Sequence, residues 1–474
     1  MRSIEHISDF PDKLNPMLVK ELRQGLRGIS FVILFIAVQA FLCFILLITA
    51  AVASDENAGH LLSRIIFFFF SLAVLVVQPL RGIAALHGEI KNNTIDLLCL
   101  TRLSAWRITF GKWISIVSQS ALILTAIIPY LILRYFFGDM QMFSEILFLL
   151  SIFLLSALFT AGTVGLSATN SVVIRVLLPI ISAGFIFIFV WGAFFSGRST
   201  FYSLLEFVTL TSLTTTLTFL GSVIACIYAT WMLLDLGTSL IAPIAENRAS
   251  RRRLISLGLI AVTLLTFGYA NANAETALLI GLALCLPVCM ISLTESAQLV
   301  QPIVAPFTRK GILGMTAGRL LYPGWATGLI FVILLYGLMH ALMLYCDSGA
   351  FGISVLNTVF AATLFPLALT RIFARKNENR FGLFMLFICT QFLIVLIVMA
   401  AEEFVGGGKL QIMQYVFWVP PSFIYLDNSS GFSKTALLNT SYVNLILYAS
   451  IALATSLPVW KHIREVERAT THES

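Results

Sequence analysis

The sequence contains about twelve long stretches without any Asp, Glu, Lys or Arg, and this pattern limits the possible folds more than any other feature. A helix needs about 20 apolar residues to cross a hydrocarbon core about 30 Å thick, because each residue advances it by about 1.5 Å. We therefore predict an all-α polytopic integral membrane protein with about twelve transmembrane helices. The predicted spans are residues 28–54, 65–80, 113–133, 146–174, 176–197, 207–234, 254–274, 276–294, 320–346, 348–370, 381–401 and 435–460.

The composition excludes an ordinary soluble protein. Hydrophobic residues make up 59% of the chain and charged residues only 11%, whereas soluble domains carry about 25% charged residues. The formal net charge of +7 leaves two explanations, a nucleic-acid partner or cytoplasmic loops rich in Lys and Arg.

The distribution of the basic residues favours cytoplasmic loops. If the N-terminus is cytoplasmic and all twelve segments cross, 25 of the 30 Lys and Arg residues fall on the inner side, as the positive-inside tendency requires. An even number of spans places both termini inside. The charges are spread over several loops, so we predict no nucleic-acid partner. The expected location is the inner (plasma) membrane, as a multi-pass protein without a cleaved signal peptide.

Residues 1–27 are predicted to contain an amphipathic helix that lies along the cytoplasmic membrane interface. Asn15 can cap the helix and Pro16 suits its first position. Leucines then recur at positions i, i+4 and i+8, with basic residues on the other side, an arrangement suited to anionic headgroups. The leucines are Leu18, Leu22 and Leu26, the basic residues are Lys20, Arg23 and Arg27, and Glu21 lies among them. The alternative is a solvated basic tail.

The loop 81–112, between the second and third predicted spans, mixes apolar and charged residues. Leu98, Leu103 and Trp106 lie among Glu89 and Asp96 in this segment. Such a mixture suits short amphipathic helices that dock against another surface, because a solvated connector does not need apolar side chains.

Two motifs make the sequence similar to the permease subunit of ATP-binding-cassette (ABC) exporters of the type-2 class. The segment NPMLVKELRQGLR resembles the family's connecting helix, in which Asn-Pro precedes a Lys-Glu-Leu-Arg core. The loop 81–112 resembles the family's pattern of an acidic residue, Gly-Thr, a second acidic residue, Leu-Leu, Thr-Pro-Leu-Ser and Gly-Lys. The counterparts are Glu89, Thr94, Asp96, Leu97, Leu98, Thr101, Leu103, Ser104, Gly111 and Lys112. Asn93 replaces the usual Gly and Arg102 the usual Pro. The likeness covers residues 12–235.

The resemblance implies a coupling helix in the loop 81–112 that inserts into a groove of a separate ABC ATPase subunit. Leu98 and Leu103 would then be buried against the partner, while Glu89, Asp96 and Lys112 set the orientation. The alternative is that these residues only fold the loop onto the membrane. One coupling loop per chain suits a homo- or heterodimer with another permease chain.

The second half supplies six further predicted spans. The expected organisation is a permease domain at 28–235, a basic cytoplasmic linker at 236–253 and a second membrane domain at 254–474. The resemblance also places short re-entrant helices on the outer side, for which residues 198–216 and 402–434 are the candidates. An ordinary long helix through 198–216 is the alternative.

Motifs for other chemistry are not found in the sequence. Gly406-Gly407-Gly408-Lys409 is not a complete phosphate-binding loop, and the six His residues have no metal-ligand spacing. His340 is predicted to be a hydrogen-bonded structural residue within its span. We therefore expect no enzyme activity, cofactor or metal, and an exporter of unidentified substrate. The alternatives are a non-transporting membrane anchor for an ATPase and an ion-coupled secondary transporter, although the acidic residues lie at span ends.

Overall fold

The structure is a computed structural model. It describes residues 16–52, 58–91, 104–136, 141–169, 171–195, 198–242, 246–269, 274–296, 299–373, 380–404, 418–422 and 434–473. Within these ranges all regular secondary structure is helical. The chain divides into two compact units, Met1–Ala242 and Pro243–Ser474. This boundary lies within 236–253, and the assignment of the two halves to separate membrane domains stays a prediction.

Eleven helices in the described residues are long and apolar enough to cross a membrane. The protein is therefore an all-α polytopic membrane protein. The eleven candidate spans are Ile29–Thr49, Leu61–Lys91, Ala105–Tyr135, Met142–Leu166, Val173–Phe195, Leu213–Ile241, Ala274–Thr294, Trp325–Tyr345, Gly349–Phe373, Arg380–Val398 and Lys434–Thr470. The seventh predicted span, 254–274, corresponds to the helix Arg248–Tyr269, which is not among them, so the count of about twelve stays a prediction.

The first unit contains ten α-helices in its described part. They are α1 (Pro16–Leu26), α2 (Ile29–Val52), α3 (Ala58–Ser71), α4 (Gln78–Leu80), α5 (His87–Lys91), α6 (Ala105–Tyr135), α7 (Met142–Leu166), α8 (Leu178–Phe195), α9 (Arg198–Val208) and α10 (Leu213–Ile241). A π-helical turn, Leu72–Val77, joins α3 to α4, and a 3₁₀ turn, Arg81–Ala84, follows α4. Ser156 of α7 donates a hydrogen bond of 2.6 Å to the carbonyl of Val74 in the π turn.

The core of the first unit is rich in phenylalanine. Phe67 and Phe148 are 5.3 Å apart between ring centroids in an edge contact, and Phe194 and Phe201 are 5.6 Å apart. Edge and tilted contacts are the favoured geometries for aromatic pairs. Phe201 belongs to the short helix α9, so these contacts hold α9 against the long helices.

Helices α7 and α10 approach each other at two glycines. An added Cβ at Gly237 would lie 2.7 Å from the Cα of Gly165, and one at Gly165 would collide with the carbonyl oxygen of Leu233. The two backbones are thus in direct contact, which is the reason small residues are enriched where membrane helices cross.

The described part of the second unit contains eight α-helices. They are α11 (Arg248–Tyr269), α12 (Ala274–Thr294), α13 (Gln301–Thr308), α14 (Gly311–Leu321), α15 (Trp325–Tyr345), α16 (Gly349–Phe373), α17 (Arg380–Phe404) and α18 (Lys434–Glu473). Helix α18 packs along α16, and its last turns cover the short helices α13 and α14 through a cluster that includes Ile303, Tyr322 and Ile463.

The segment 198–216, predicted to lie on the outer side, is broken, so the alternative of one long helix is wrong. Helix α9 ends at Val208, Leu210 has a positive φ of 54°, and α10 begins at Leu213. Ser212 and Thr215 form a capping box at the start of α10, which satisfies backbone groups freed by the break. Whether α9 re-enters the membrane stays a prediction. Most of 402–434 lies outside the described residues.

Candidate functional site

Two carboxylates from separate parts of the first unit meet at one lysine of α6. The Nζ atom of Lys112 lies 3.2 Å from Oε1 of Glu21 on α1 and 2.8 Å from Oε1 of Glu89 on α5. Ser115 donates a hydrogen bond of 2.9 Å from its hydroxyl to the backbone carbonyl of Glu21. We call Glu21, Glu89, Lys112 and Ser115 the Lys112 cluster.

The Lys112 cluster is largely removed from water. The side chain of Lys112 is 9% exposed, and those of Glu21 and Glu89 are 15% and 17% exposed. Ion pairs at this depth lose less strength to solvent than surface pairs do, and removing one partner leaves a buried charge. The cluster therefore fixes three segments relative to one another: α1, the end of the run that starts with α3, and the beginning of α6.

A stripe of polar residues on α6 extends the cluster. Lys112, Ser115 and Gln119 are spaced i, i+3 and i+7 and so lie on one helix face. Gln119 accepts a hydrogen bond from Arg81, which also bonds Gln78 at 3.3 Å. An added Cβ at Gly25 of α1 would lie 2.9 Å from the hydroxyl of Ser115. Only a glycine lets α1 approach the stripe this closely.

The segment just before α5 is anchored in the core. The backbone N–H of Leu86 donates a hydrogen bond of 3.1 Å to the Ser167 hydroxyl, at the end of α7. Leu86 is fully buried, and Ile108 and Leu234 belong to the same apolar cluster. The flanks of the predicted loop 81–112 are thus helical and packed within the unit.

The structure brings together three of the residues that the motifs predicted: Glu21, Glu89 and Lys112. Ser104 is the N-cap of α6, where its hydroxyl accepts a hydrogen bond from the N–H of Arg107 at 3.4 Å, and Gly111 is buried within α6. The other predicted residues of this loop and the predicted cap lie outside the described residues. They are Thr94, Asp96, Leu97, Leu98, Thr101, Leu103 and Asn15.

The two predicted faces of helix α1, one basic and one formed by leucines, differ in their exposure. The helix is described from Pro16 onward, and the predicted start at this residue stays a prediction. Its basic residues are exposed and its leucines are partly buried, with Leu26 packed against the core of the first unit. The exposed residues are Lys20, Arg23 and Arg27, and the partly buried ones are Leu18, Leu22 and Leu26. Glu21 is turned toward α6.

A second buried ion pair lies toward the opposite end of α6. Arg134 and Glu145 approach to 3.3 Å between Nη2 and Oε1, with 1% and 3% of their side chains exposed. Arg134 also donates a hydrogen bond to the hydroxyl of Ser63. This pair ties α6, α7 and α3 together. Sequence reasoning placed both residues at span ends but gave no sign that they pair.

The second unit has its own charged cluster where several helix ends meet. Arg253 donates to Glu295 at 2.6 Å and to the carbonyl of Gly324 at 3.0 Å, and Arg252 reaches the other oxygen of Glu295 at 3.0 Å. Arg253 is fully buried. Two basic residues of the predicted linker 236–253 are thus paired within the second unit.

His340 of α15 lies in a polar network within the second unit. Its Nε2 atom is 3.3 Å from the Tyr442 hydroxyl. Nearby, Tyr336 donates to Asn357 at 2.7 Å, and Asn357 donates to Ser441 at 3.0 Å. His340 is therefore hydrogen-bonded, as the sequence interpretation expected. Across the described residues, no group of three or more His, Cys, Asp or Glu side chains is placed to hold a metal ion.

The fold and these sites define a class: a multi-pass all-α membrane protein whose long helices are joined by buried ion clusters. Comparisons with protein-family models, curated proteins and solved structures gave no match to this chain.

Proposed function

We propose that this protein is the membrane-spanning permease subunit of an ABC exporter of the type-2 class. It takes its energy from ATP hydrolysed by a separate nucleotide-binding subunit. In this proposal both termini face the cytoplasm, about twelve helices cross the plasma membrane, and the chain pairs with a second permease chain. The substrate class is left open.

The observation that carries the proposal is the Lys112 cluster. Glu21 comes from the Lys-Glu-Leu-Arg core, Glu89 from the first acidic position of the loop pattern, and Lys112 from the Gly-Lys that closes it. These three positions belong to the two motifs on which the resemblance rests, and they are 91 residues apart at the extremes. Their convergence supports the interpretation that the two motifs act together.

The cluster gives the loop a mechanical role. Residues 92–103 connect α5 to α6, and Lys112 of α6 pairs both with Glu89 of α5 and with Glu21 of α1. A displacement of the loop by a partner would therefore move α1, α5 and α6 as one body, because packed and ion-paired elements transmit small shifts without local deformation. This is the rigid connection that a permease needs between an ATPase and its membrane helices.

The partner can be tested by purification from native membranes. We expect the tagged protein to bring down a soluble ATPase whose activity follows it through gel filtration. Asp96→Arg, in the part of the loop facing the partner in this proposal, is expected to lower the recovered ATPase by about tenfold, since a charged contact is worth about 1.5–3 kcal/mol.

The matched control is Lys91→Glu, an exposed charge reversal at the end of α5. Glu89→Gln tests the effect of a disturbed fold separately from the effect of a lost partner contact, because Glu89 pairs with Lys112 within the chain. Recovery of equal ATPase with Asp96→Arg and with the unaltered chain would reject the coupling assignment. If the protein binds the ATPase but exports no substrate, the result would favour the alternative of a non-transporting membrane anchor.

A further inference from the structure

A groove on the second unit changes from apolar to basic along its length. Its volume is about 520 Å³, within the range of small-molecule sites. One wall is the face of α18 formed by Leu453, Leu457, Trp460 and Arg464, which are spaced i, i+4, i+7 and i+11. That spacing keeps the four side chains on one side of a helix.

The opposite wall of the groove also changes from apolar to basic. Ile330 of α15 lies at the apolar part and Arg319 of α14 at the basic part. Arg319 is held there by a two-pronged ion pair with Glu467, with distances of 2.8 and 3.2 Å, and Glu467 is 4% exposed. The pair fixes the Arg319 guanidinium at the rim. Arg464 is exposed and adds a second positive charge to the lining of the groove.

The dimensions match one leaflet of a bilayer. Leu453 and Arg464 are 11 residues apart, about 16 Å along a helix, and half of the hydrocarbon core is about 15 Å. Trp460, between the leucines and the arginine, is the residue type enriched at the headgroup level. With Trp460 at the interface, we expect the aliphatic part of the groove at acyl-chain depth and the arginines at headgroup depth.

We propose that this groove binds an anionic glycerophospholipid of the leaflet at which α18 leaves the membrane. The acyl chain lies against Ile330, Leu453 and Leu457, and the headgroup phosphate contacts Arg464 and Arg319. A phospholipid fits the order of the lining residues, which are apolar, then interfacial, then cationic. The proposal does not depend on the ABC assignment.

The test is electron paramagnetic resonance of spin-labelled lipid with the full chain reconstituted in phosphatidylcholine vesicles. We expect spin-labelled phosphatidylglycerol to associate more strongly than spin-labelled phosphatidylcholine. Arg464→Gln is expected to reduce that preference about fivefold, since one basic residue near the surface contributes about 1 kcal/mol. Arg309→Gln is the matched control, because Arg309 is exposed in the same unit but does not line the groove.

A second variant tests the apolar wall. Leu457→Trp should fill the groove and lower phosphatidylglycerol association with all charges intact, whereas Leu447→Trp, exposed on α18 outside the groove, should not. Glycerol phosphate in solution should not compete. Equal association of the two lipids, equal effects of Arg464→Gln and Arg309→Gln, or displacement by glycerol phosphate would each overturn the proposal.

Discussion

Lys112 is the cation of the Lys112 cluster, and it pairs with two carboxylates at once. Replacing it by methionine keeps most of the length of the side chain but leaves Glu21 and Glu89 close together without that charge. We expect Lys112→Met to reduce the stability of the purified protein by about 2 kcal/mol, because a buried charge loses its partner. The measurement is thermal unfolding in detergent.

Lys91→Met serves as the control for that variant. Lys91 is exposed at the end of α5, so loss of its charge should leave the melting temperature nearly unchanged. If both variants melt at the same temperature, the Lys112 cluster does not hold α1, α5 and α6 together.

Arg134 and Glu145 allow a test of a different kind, since both are almost completely buried. Arg134→Leu alone should destabilise the protein by about 3 kcal/mol, because Glu145 stays in an apolar surrounding without its partner. The double variant Arg134→Leu with Glu145→Leu should recover most of that loss. Thermal unfolding of the two single variants and the double variant measures the coupling. Additive losses would contradict a direct ion pair.

At the scale of whole elements, the contact between α7 and α10 depends on the absence of side chains. Gly165→Ala would force the helices apart, because the new Cβ meets the carbonyl of Leu233. The expected loss is about 2 kcal/mol, typical of overpacking. Gly162→Ala is the matched control on the same helix, since its Cβ would be 3.8 Å from Leu233, an ordinary contact. A lower melting temperature for Gly162→Ala than for Gly165→Ala would disprove this close approach.

The positions of most helices could be predicted because a span is a local property of composition. Their ends could not be predicted from charge alone. The predicted span 146–174 is too long, as α7 ends at Leu166 and the chain turns at Ser167 and Thr169, which carry no charge. Similarly, the span predicted from residue 207 begins as α10 only at Leu213, after the Ser212 capping box.

The pairings between elements could not be predicted from the sequence, for a physical reason. The contact of Lys112 with Glu21 joins residues 91 positions apart, and only the packing of α1 against α6 brings them together. The resemblance selected both residues without indicating that they touch. One signal was present, since Lys112, Ser115 and Gln119 mark a polar face on an otherwise apolar helix, and such a face in a membrane needs a polar partner.

For the whole molecule, the placement of charge clusters along α6 bears on how the first unit crosses the membrane. Lys112 and Arg134 are 22 residues apart, or about 33 Å along a helix, which closely matches the roughly 30 Å hydrocarbon core. Each end of this uncharged interval carries a buried ion pair. We therefore expect the two ion pairs to lie at opposite membrane surfaces, with the sequence 92–103 on the same side as Lys112.

The distribution of Lys and Arg predicts that this surface is cytoplasmic. In a cysteine-free background, Leu100→Cys should then resist a membrane-impermeant thiol reagent in sealed cells and react after the membrane is opened. The matched position is residue 138, in the segment between α6 and α7, where Gly138→Cys should react from outside without opening. Labelling of residue 100 from outside would invert the first unit and remove the loop from any cytoplasmic ATPase. That result would reject the coupling loop, which requires the cytoplasmic surface. It would leave the lipid groove standing, because the groove requires only that α18 ends at a membrane surface.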